Sequence, residues 1–230
     1  MRRRHDGAGA GKRRRLDGAG AGMSIERKYD EIAETFTERE YADPARYFGR
    51  RARIVAGLGP PLEPGDRVLD LACADGSVAP PLLDLGLAYT GVDLSEGMIE
   101  VARRRHGDRA RFELADMFSY RPLERVAASV CFRSLYFADD RVGFLRHVGG
   151  FTEKKVLFDF DPRKEPLDAL RADLRSAGFD RLATAPFFVP QHAAPPAPAA
   201  ALLALAERVR PLATLVIRLR FSLVVAGYRG

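Results

Sequence analysis

The chain has 230 residues, is 47% apolar and 30% charged, and carries 37 Lys and Arg against 31 Asp and Glu. This length and composition support one globular domain with a sizeable core and exclude a wholly disordered chain, a collagen and a disulfide scaffold. Cys73 and Cys131 are too few and too far apart for a disulfide framework or a zinc cluster, and no run of 18 apolar residues provides a membrane span, so a cytoplasmic protein is expected.

The formal charge of +6 would indicate a polyanionic partner only if it lay on the folded part. Residues 1–22 are a tandem duplication with an 11-residue period, Arg2-Arg3-Arg4-His5-Asp6 and GAGAG, then Arg13-Arg14-Arg15-Leu16-Asp17 and GAGAG again. This segment holds seven basic and two acidic residues, leaving 30 basic and 29 acidic residues in 23–230. So little apolar surface cannot offset ordering entropy, and a disordered basic tail is expected. The tail can be an arm for nucleic acid or anionic lipid, or an extension ahead of a start at Met23-Ser24 with no folded role. The second reading is preferred, and nucleic acid is not an expected partner.

From Ile25 the apolar spacing becomes helical. Tyr29, Ile32, Ala33 and Phe36 share one face, with Ser24 available as N-cap. Asp43-Pro44 breaks the run before a second helix with Tyr47, Phe48, Ile54 and Val55 on its apolar side, and the stretch at 59–65, GPPLEPG, ends it. Beyond Gly65, short apolar runs alternate with helical stretches, the order of a parallel sheet covered on both faces. Strands are predicted at Val68–Leu71, Ala88–Val92, Phe112–Ala115, Ala128–Phe132 and Val156–Phe160, with two more at Leu182–Val189 and Phe221–Gly227. Helices are predicted at Ser77–Leu85, interrupted by Pro80-Pro81, and at Ser95–Arg105, Asp139–His147 and Pro166–Ala177. An Ala/Leu-rich helix starting near Ala199 can contact a membrane or cover a substrate; because Glu207, Arg208, Arg210, Arg218 and Arg220 interrupt it, a core-facing helix is preferred.

The first strand, ending in Asp70-Leu71, runs into Ala72-Cys73-Ala74-Asp75-Gly76-Ser77. A strand leading through small residues into a helix presents backbone N–H groups to a ligand at close range. A dinucleotide fingerprint would need glycine at 72, 74 and 77, and none is there. The second strand ends in Gly91-Val92-Asp93 and the third in Leu114-Ala115-Asp116-Met117. Each acid alone can be a cap or a turn residue. In this order and spacing, the three resemble the class I S-adenosylmethionine-dependent methyltransferases, of the small-molecule type, over about residues 25–160. Asp70 and Gly76 match the family's first motif, and Ala72 and Ala74 stand where it has glycines.

The resemblance implies an α/β fold: a Rossmann-like, doubly wound, mostly parallel seven-stranded sheet with helices on both faces and an N-terminal helical lid. Residues 23–230 would form a single domain, the lid at 23–58 and the core at 65–230. It implies S-adenosylmethionine as cofactor, held at Asp70, Ala72, Ala74 and Gly76, with Asp93 on the ribose hydroxyls. Asp116 would accept from the adenine amino group, with the Met117 N–H and the Leu94 and Met98 side chains around the ring and Phe132 nearby. Tyr29, Arg50 and Arg51 can reach the methionine carboxylate, although an arginine on such a helix can equally be solvated.

After the fourth strand, relatives that methylate exocyclic amines carry Asn/Asp-Pro-Pro-Tyr/Phe. Here the sequence is Arg133-Ser134-Leu135-Tyr136, so base-amino methylation is disfavoured and Tyr136 or Arg133 can line the transfer pocket. His192, in a Pro/Ala-rich loop, is a candidate base, with an exposed-loop role as the alternative. His106 and His147 read as helix-end residues. Asp159 and Asp161 lack a third nearby acid and read as caps rather than metal ligands. The expected activity is methyl transfer to a small molecule, oxygen ahead of nitrogen or carbon. The alternatives are an RNA or protein methyltransferase recruited through the tail and a silent S-adenosylmethionine-binding scaffold.

Overall fold

The computed structural model describes residues 25–217 and 221–230. The tail at 1–22 and the Ser24 cap lie outside the described residues. The N-terminal helices are α1 (Ile25–Ile32), a 3-10 turn at Ala33–Thr35, α2 (Phe36–Glu40) and α3 (Pro44–Gly57). Asp43 caps α3 by accepting from the Arg46 N–H at 3.1 Å, and Pro44 occupies the first helical position, where its missing donor costs nothing.

Seven strands follow: β1 (Arg67–Leu71), β2 (Ala88–Asp93), β3 (Arg111–Leu114), β4 (Val126–Cys131), β5 (Thr152–Phe160), β6 (Arg181–Phe187) and β7 (Ser222–Tyr228). They form one sheet in the order β3-β2-β1-β4-β5-β7-β6. β7 runs antiparallel between β5 and β6, and the strands from β3 to β5 pair in parallel. The interleaved helices are α4 (Ala79–Leu83), α5 (Glu96–His106), α6 (Arg141–Gly149) and α7 (Leu167–Ser176), with α8 (Ala197–Arg208) and α9 (Arg210–Ile217) before β7. This is the Rossmann-like doubly wound arrangement with an N-terminal helical layer.

Alternate strand residues feed two cores. Val68, Tyr89, Ala128, Leu157 and Val224 join Ile54, Leu82 and Ile99 on the face covered by α3, α4 and α5. Leu69, Leu71, Val156 and Val225 join Phe144, Val148, Leu170 and Leu174 on the face of α6 and α7. Every residue of β4 is buried, as expected of a central strand covered on both sides. Lys155 lies in the interior of the molecule and donates to the Ala56 and Leu58 carbonyls at 3.2 and 2.8 Å, satisfying the end of α3 from β5.

Two elements differ from the sequence reading. α4 is five residues rather than nine, because Pro80 and Pro81 fit only a first helical turn. The Ala/Leu-rich helix breaks in two at Val209, whose backbone is extended, ahead of Pro211. The order of strands reverses between β1 and β4, the switch point beside whose carboxyl ends doubly wound sheets bind their ligands.

Candidate functional site

The loop leaving β1 is left-handed at three points: Ala72 (φ 65°), Ala74 (φ 49°) and Gly76 (φ 73°). Two alanines thus hold the conformation natural to glycine, at a cost of about 1 kcal/mol each. The surrounding hydrogen bonds fix it. The Cys73 N–H donates to the Val92 carbonyl at 2.9 Å, and the Ala74 N–H donates to Asp93 Oδ2 at 2.8 Å. Asp93 Oδ1 accepts from the Ser95 N–H at 2.9 Å. Burial raises the Asp93 pKa and these backbone donors oppose the rise. Each carboxylate oxygen has two lone pairs, so capacity for ligand hydroxyls remains.

The other two strand-end acids take different positions. Asp70 is buried on the β1 face that it shares with Val68, accepting from the Tyr89 hydroxyl at 2.7 Å, and burial pushes its carboxyl up to about 7. Asp116 Oδ1 accepts from the Phe118 N–H at 2.9 Å, the turn bonding open to any such aspartate. Exposed Leu94, Leu114 and Phe118 stand at or just beyond the carboxyl ends of β2 and β3, while Met117 and Met98 are buried. Met98 packs with Ala33, Val101, Tyr29, Phe36 and Ala74, which brings α1, the loop and α5 together.

Sequence reasoning missed the polar ties that hold this layer. Asp30 Oδ1 accepts from Ser95 Oγ at 2.6 Å and from the Gly97 N–H at 3.0 Å, placing a carboxylate of α1 at the N-terminus of α5. Buried Asp75 accepts from Thr37 Oγ1 and from Arg105 Nη1, each at 2.6 Å. A polar residue on an amphipathic helix gives no signal of such a distant partner.

At the ends of β4 and β5 the dominant group is Arg51, 2% exposed. Its Nη2 donates to Asp159 Oδ1 at 2.8 Å and to the Tyr47 hydroxyl at 2.7 Å. The guanidinium lies over the rings of Phe132, Phe187 and Tyr47, 4.2, 4.6 and 4.8 Å from their centroids, and its Nη1 has no partner. Asp159, read from sequence as a cap, is instead the counter-ion of this arginine, and its Oδ2 accepts from the Arg133 N–H at 2.8 Å. Asp161 does cap, accepting from the Arg163 N–H at 3.0 Å. Arg133 itself has left-handed backbone (φ 57°) and reaches the Tyr41 hydroxyl at 3.4 Å.

Asp93, Arg133 and Tyr136 come within electrostatic reach of Tyr29. Burial raises the Tyr29 hydroxyl, Tyr136 and Asp93 add to the rise, and Arg133 opposes it. Tyr136 is exposed and stacks on Phe137 at 4.3 Å. His192 is exposed in the loop after β6, and no contact places it with this group. His147 Nε2 meets the Tyr120 carbonyl at 2.9 Å, and His106 packs on Phe112 with a 5.6 Å centroid separation. Among the described residues no three His, Cys, Asp or Glu side chains are grouped to hold a metal.

A switch point in the sheet order, a small-residue loop and a carboxylate at the end of the neighbouring strand are features of the class I S-adenosylmethionine-dependent methyltransferases. Residues 68–154 match the family described as "Methyltransferase domain". Demethylmenaquinone methyltransferase of Renibacterium salmoninarum is 31% identical over 93 residues, 37% of this chain and 38% of that protein. The chain thus matches about two fifths of that curated relative's length. Magnesium protoporphyrin IX methyltransferase from Synechocystis PCC 6803, with S-adenosylmethionine bound, superposes with a TM-score of 0.53 at 16% identity, covering 93% of this chain and 87% of that one. The [4+2]-cyclase SpnF superposes at 0.57 and 16% identity, covering 89% and 95%. These two likenesses concern the fold.

The family's cofactor is S-adenosylmethionine, and the residues fit it. The loop is left-handed at Ala72, Ala74 and Gly76, with Ala72 and Ala74 partly open to solvent, Asp93 offers paired acceptor oxygens, and Leu94 and Phe118 provide apolar surface of the kind a purine covers.

Proposed function

We propose that the protein transfers the methyl group of S-adenosylmethionine to an oxygen of a small aromatic molecule held under the N-terminal helices, which act as a lid. When bound, the cofactor supplies a sulfonium methyl that the acceptor oxygen takes by in-line displacement, the C–S electron pair leaving on sulfur. The chain's own work is then to bind, orient and set charge. Asp93 takes the ribose hydroxyls. Asp116 and the Met117 N–H face the adenine, and Asp70 braces β1 from beneath. The partly exposed rings of Phe48 and Phe132, backed by buried Tyr41, Tyr47 and Phe187, favour a flat apolar acceptor.

The observation that carries the oxygen assignment is the field of Arg133, which opposes the rise that burial imposes on the three tyrosine hydroxyls around it, Tyr29, Tyr41 and Tyr136. A phenolic acceptor in the same place experiences the same field and ionises more readily, so a fixed cation does the work otherwise assigned to a base such as His192. The names of the two relatives, which specify demethylmenaquinone and magnesium protoporphyrin IX, favour small organic acceptors.

The test is methyl transfer from labelled S-adenosylmethionine to a panel of phenols and matched anilines. Phenols are expected to react. Arg133→Gln is expected to slow transfer roughly tenfold near neutral pH and to move the pH–rate profile to the alkaline side. Transfer to anilines alone would overturn the oxygen assignment, and an unchanged pH profile would remove Arg133 from it. In calorimetric titration Asp93→Ala is expected to bind S-adenosylmethionine at least about 30-fold more weakly, from the loss of charged hydrogen bonds. Absence of saturable binding to the wild type would leave only a scaffold. Deleting residues 1–22 is expected to leave the rate on the phenol unchanged; loss of activity would favour a polymer recruited by the tail.

A further inference from the structure

The helix pair α8–α9 is apolar on two sides. Its inner side places Ala206 and Ala213 on Phe188, with Leu203, Val216 and Ile217 packed beside them. Its outer side carries further large apolar residues: Leu202 is 66% exposed, Leu205 53%, Val209 37% and Leu212 45%. Leu202 and Leu205, three residues apart, share one face of α8, and Val209 and Leu212 continue the exposed apolar surface across the break into α9. The core-facing expectation holds for Leu203, Val216 and Ile217, which pack on the Phe188 cluster, while Leu202, Leu205 and Leu212 are left outside it.

The sequence around the segment is biased to positive charge. Between Pro196 and Phe221 it contains a single acidic residue, Glu207, against Arg208, Arg210, Arg218 and Arg220. That one acid is turned inward: its side chain is 8% exposed, pairs with Arg50 Nε at 2.7 Å, and accepts from the Phe188 N–H at 2.7 Å. Arg208, beside it in sequence, is exposed. An outward apolar stripe with arginines along the same stretch and its only carboxylate withdrawn complements a surface that is apolar just below a layer of negative charge.

We propose that α8–α9 docks the protein on an anionic lipid bilayer, lying in the plane of the headgroups. Among the described residues no helix is long and apolar enough to cross a membrane, so the segment lies on the bilayer. The docking helix is also tied to the candidate site. Arg46 Nη2 donates to the Ala200 carbonyl at 2.7 Å and Arg50 holds Glu207, so α8 is fixed to α3, the helix that carries Tyr47 and Arg51. This inference stands independently of the methyl-transfer reading.

The test is co-sedimentation of the full chain with vesicles of phosphatidylcholine alone or with one quarter phosphatidylglycerol, at low and high salt. Binding is expected to the anionic vesicles, to weaken with salt, to survive deletion of residues 1–22, and to fall at least tenfold in Leu202→Gln/Leu205→Gln/Leu212→Gln. Retained thermal melting of that variant separates loss of docking from loss of fold. The chain has no tryptophan, so Leu205→Trp gives a second, independent reading. Its emission is expected to shift to the blue on anionic vesicles, whereas that of Leu85→Trp, beyond α4, stays put. Binding unaffected by the glutamines, or abolished by removing the tail alone, overturns the proposal. So does a concentration-dependent dimer, lost in the glutamine variant, with no vesicle binding, because a second copy would then be the occupant.

Discussion

At the scale of single residues the loop leaving β1 holds alanine in left-handed backbone at Ala72 and Ala74. The strain is local, and the bonds from Cys73 and Ala74 to β2 offset it. Replacing both alanines with glycine removes the Cβ conflict but adds unfolded-chain entropy, and the first effect is the larger. Ala72→Gly/Ala74→Gly is expected to be more stable than the wild type by about 1 kcal/mol in urea unfolding. Ala74→Val, with a branched side chain at the same φ, is expected to lose about 2 kcal/mol or more. Equal stability of all three would show that the loop relaxes freely and that its geometry is not held.

At the scale of elements, the N-terminal helices are fastened to the sheet by buried polar pairs rather than by apolar packing alone. The strongest is Arg51 of α3 on Asp159 of β5. Removing one member leaves a charge in a poorly hydrated site, which typically costs about 3 kcal/mol. Arg51→Met is therefore expected to lower the melting temperature and to make 25–57 more sensitive to limited proteolysis while the sheet stays protected. Uniform sensitivity along the chain would mean that the layer does not open separately.

These ties also mark the limit of what the sequence conveys. Alternation of apolar runs placed all seven strands, and spacing alone placed Asp70, Asp93 and Asp116 at strand ends, because both depend on periods of a few residues. Thr37 with Asp75, Asp30 with Ser95 and Arg51 with Asp159 lie 38, 65 and 108 residues apart, and no local pattern encodes them. The orientation of α8–α9 was illegible for a related reason. Alanine and leucine count alike as apolar, and only packing against Phe188 decides which of them faces inward.

At the scale of the whole molecule, stability should carry the signature of Asp70. Burial raises its carboxyl from 3.8 to about 7, so between those values the folded state holds a proton that the unfolded chain has released. Stability attributable to this group falls as pH rises through that window and is fully lost above it. Asp70→Asn keeps an acceptor for the Tyr89 hydroxyl and removes the titration. The variant is expected to match the wild type near pH 4 and to exceed it by on the order of 2 kcal/mol at pH 8. Parallel melting curves across that range would show that Asp70 ionises freely in the fold. Lys155 acts separately and in the opposite sense, since burial lowers its pKa to about 8 and stability from it rises with pH above that value.

The loop and β2 share one further constraint. A Cβ on Gly91 would lie 2.7 Å from Cys73 Sγ and 2.9 Å from its Cβ, with the Phe112 ring at 3.1 Å. The two positions therefore draw on a common volume across neighbouring strands. A thiol at 73 is admissible because 91 is bare, and any side chain acquired at 91 requires 73 to shrink in the same step. Among descendants of this fold the pair should be inherited as a unit, with the sum of their sizes conserved while either identity drifts.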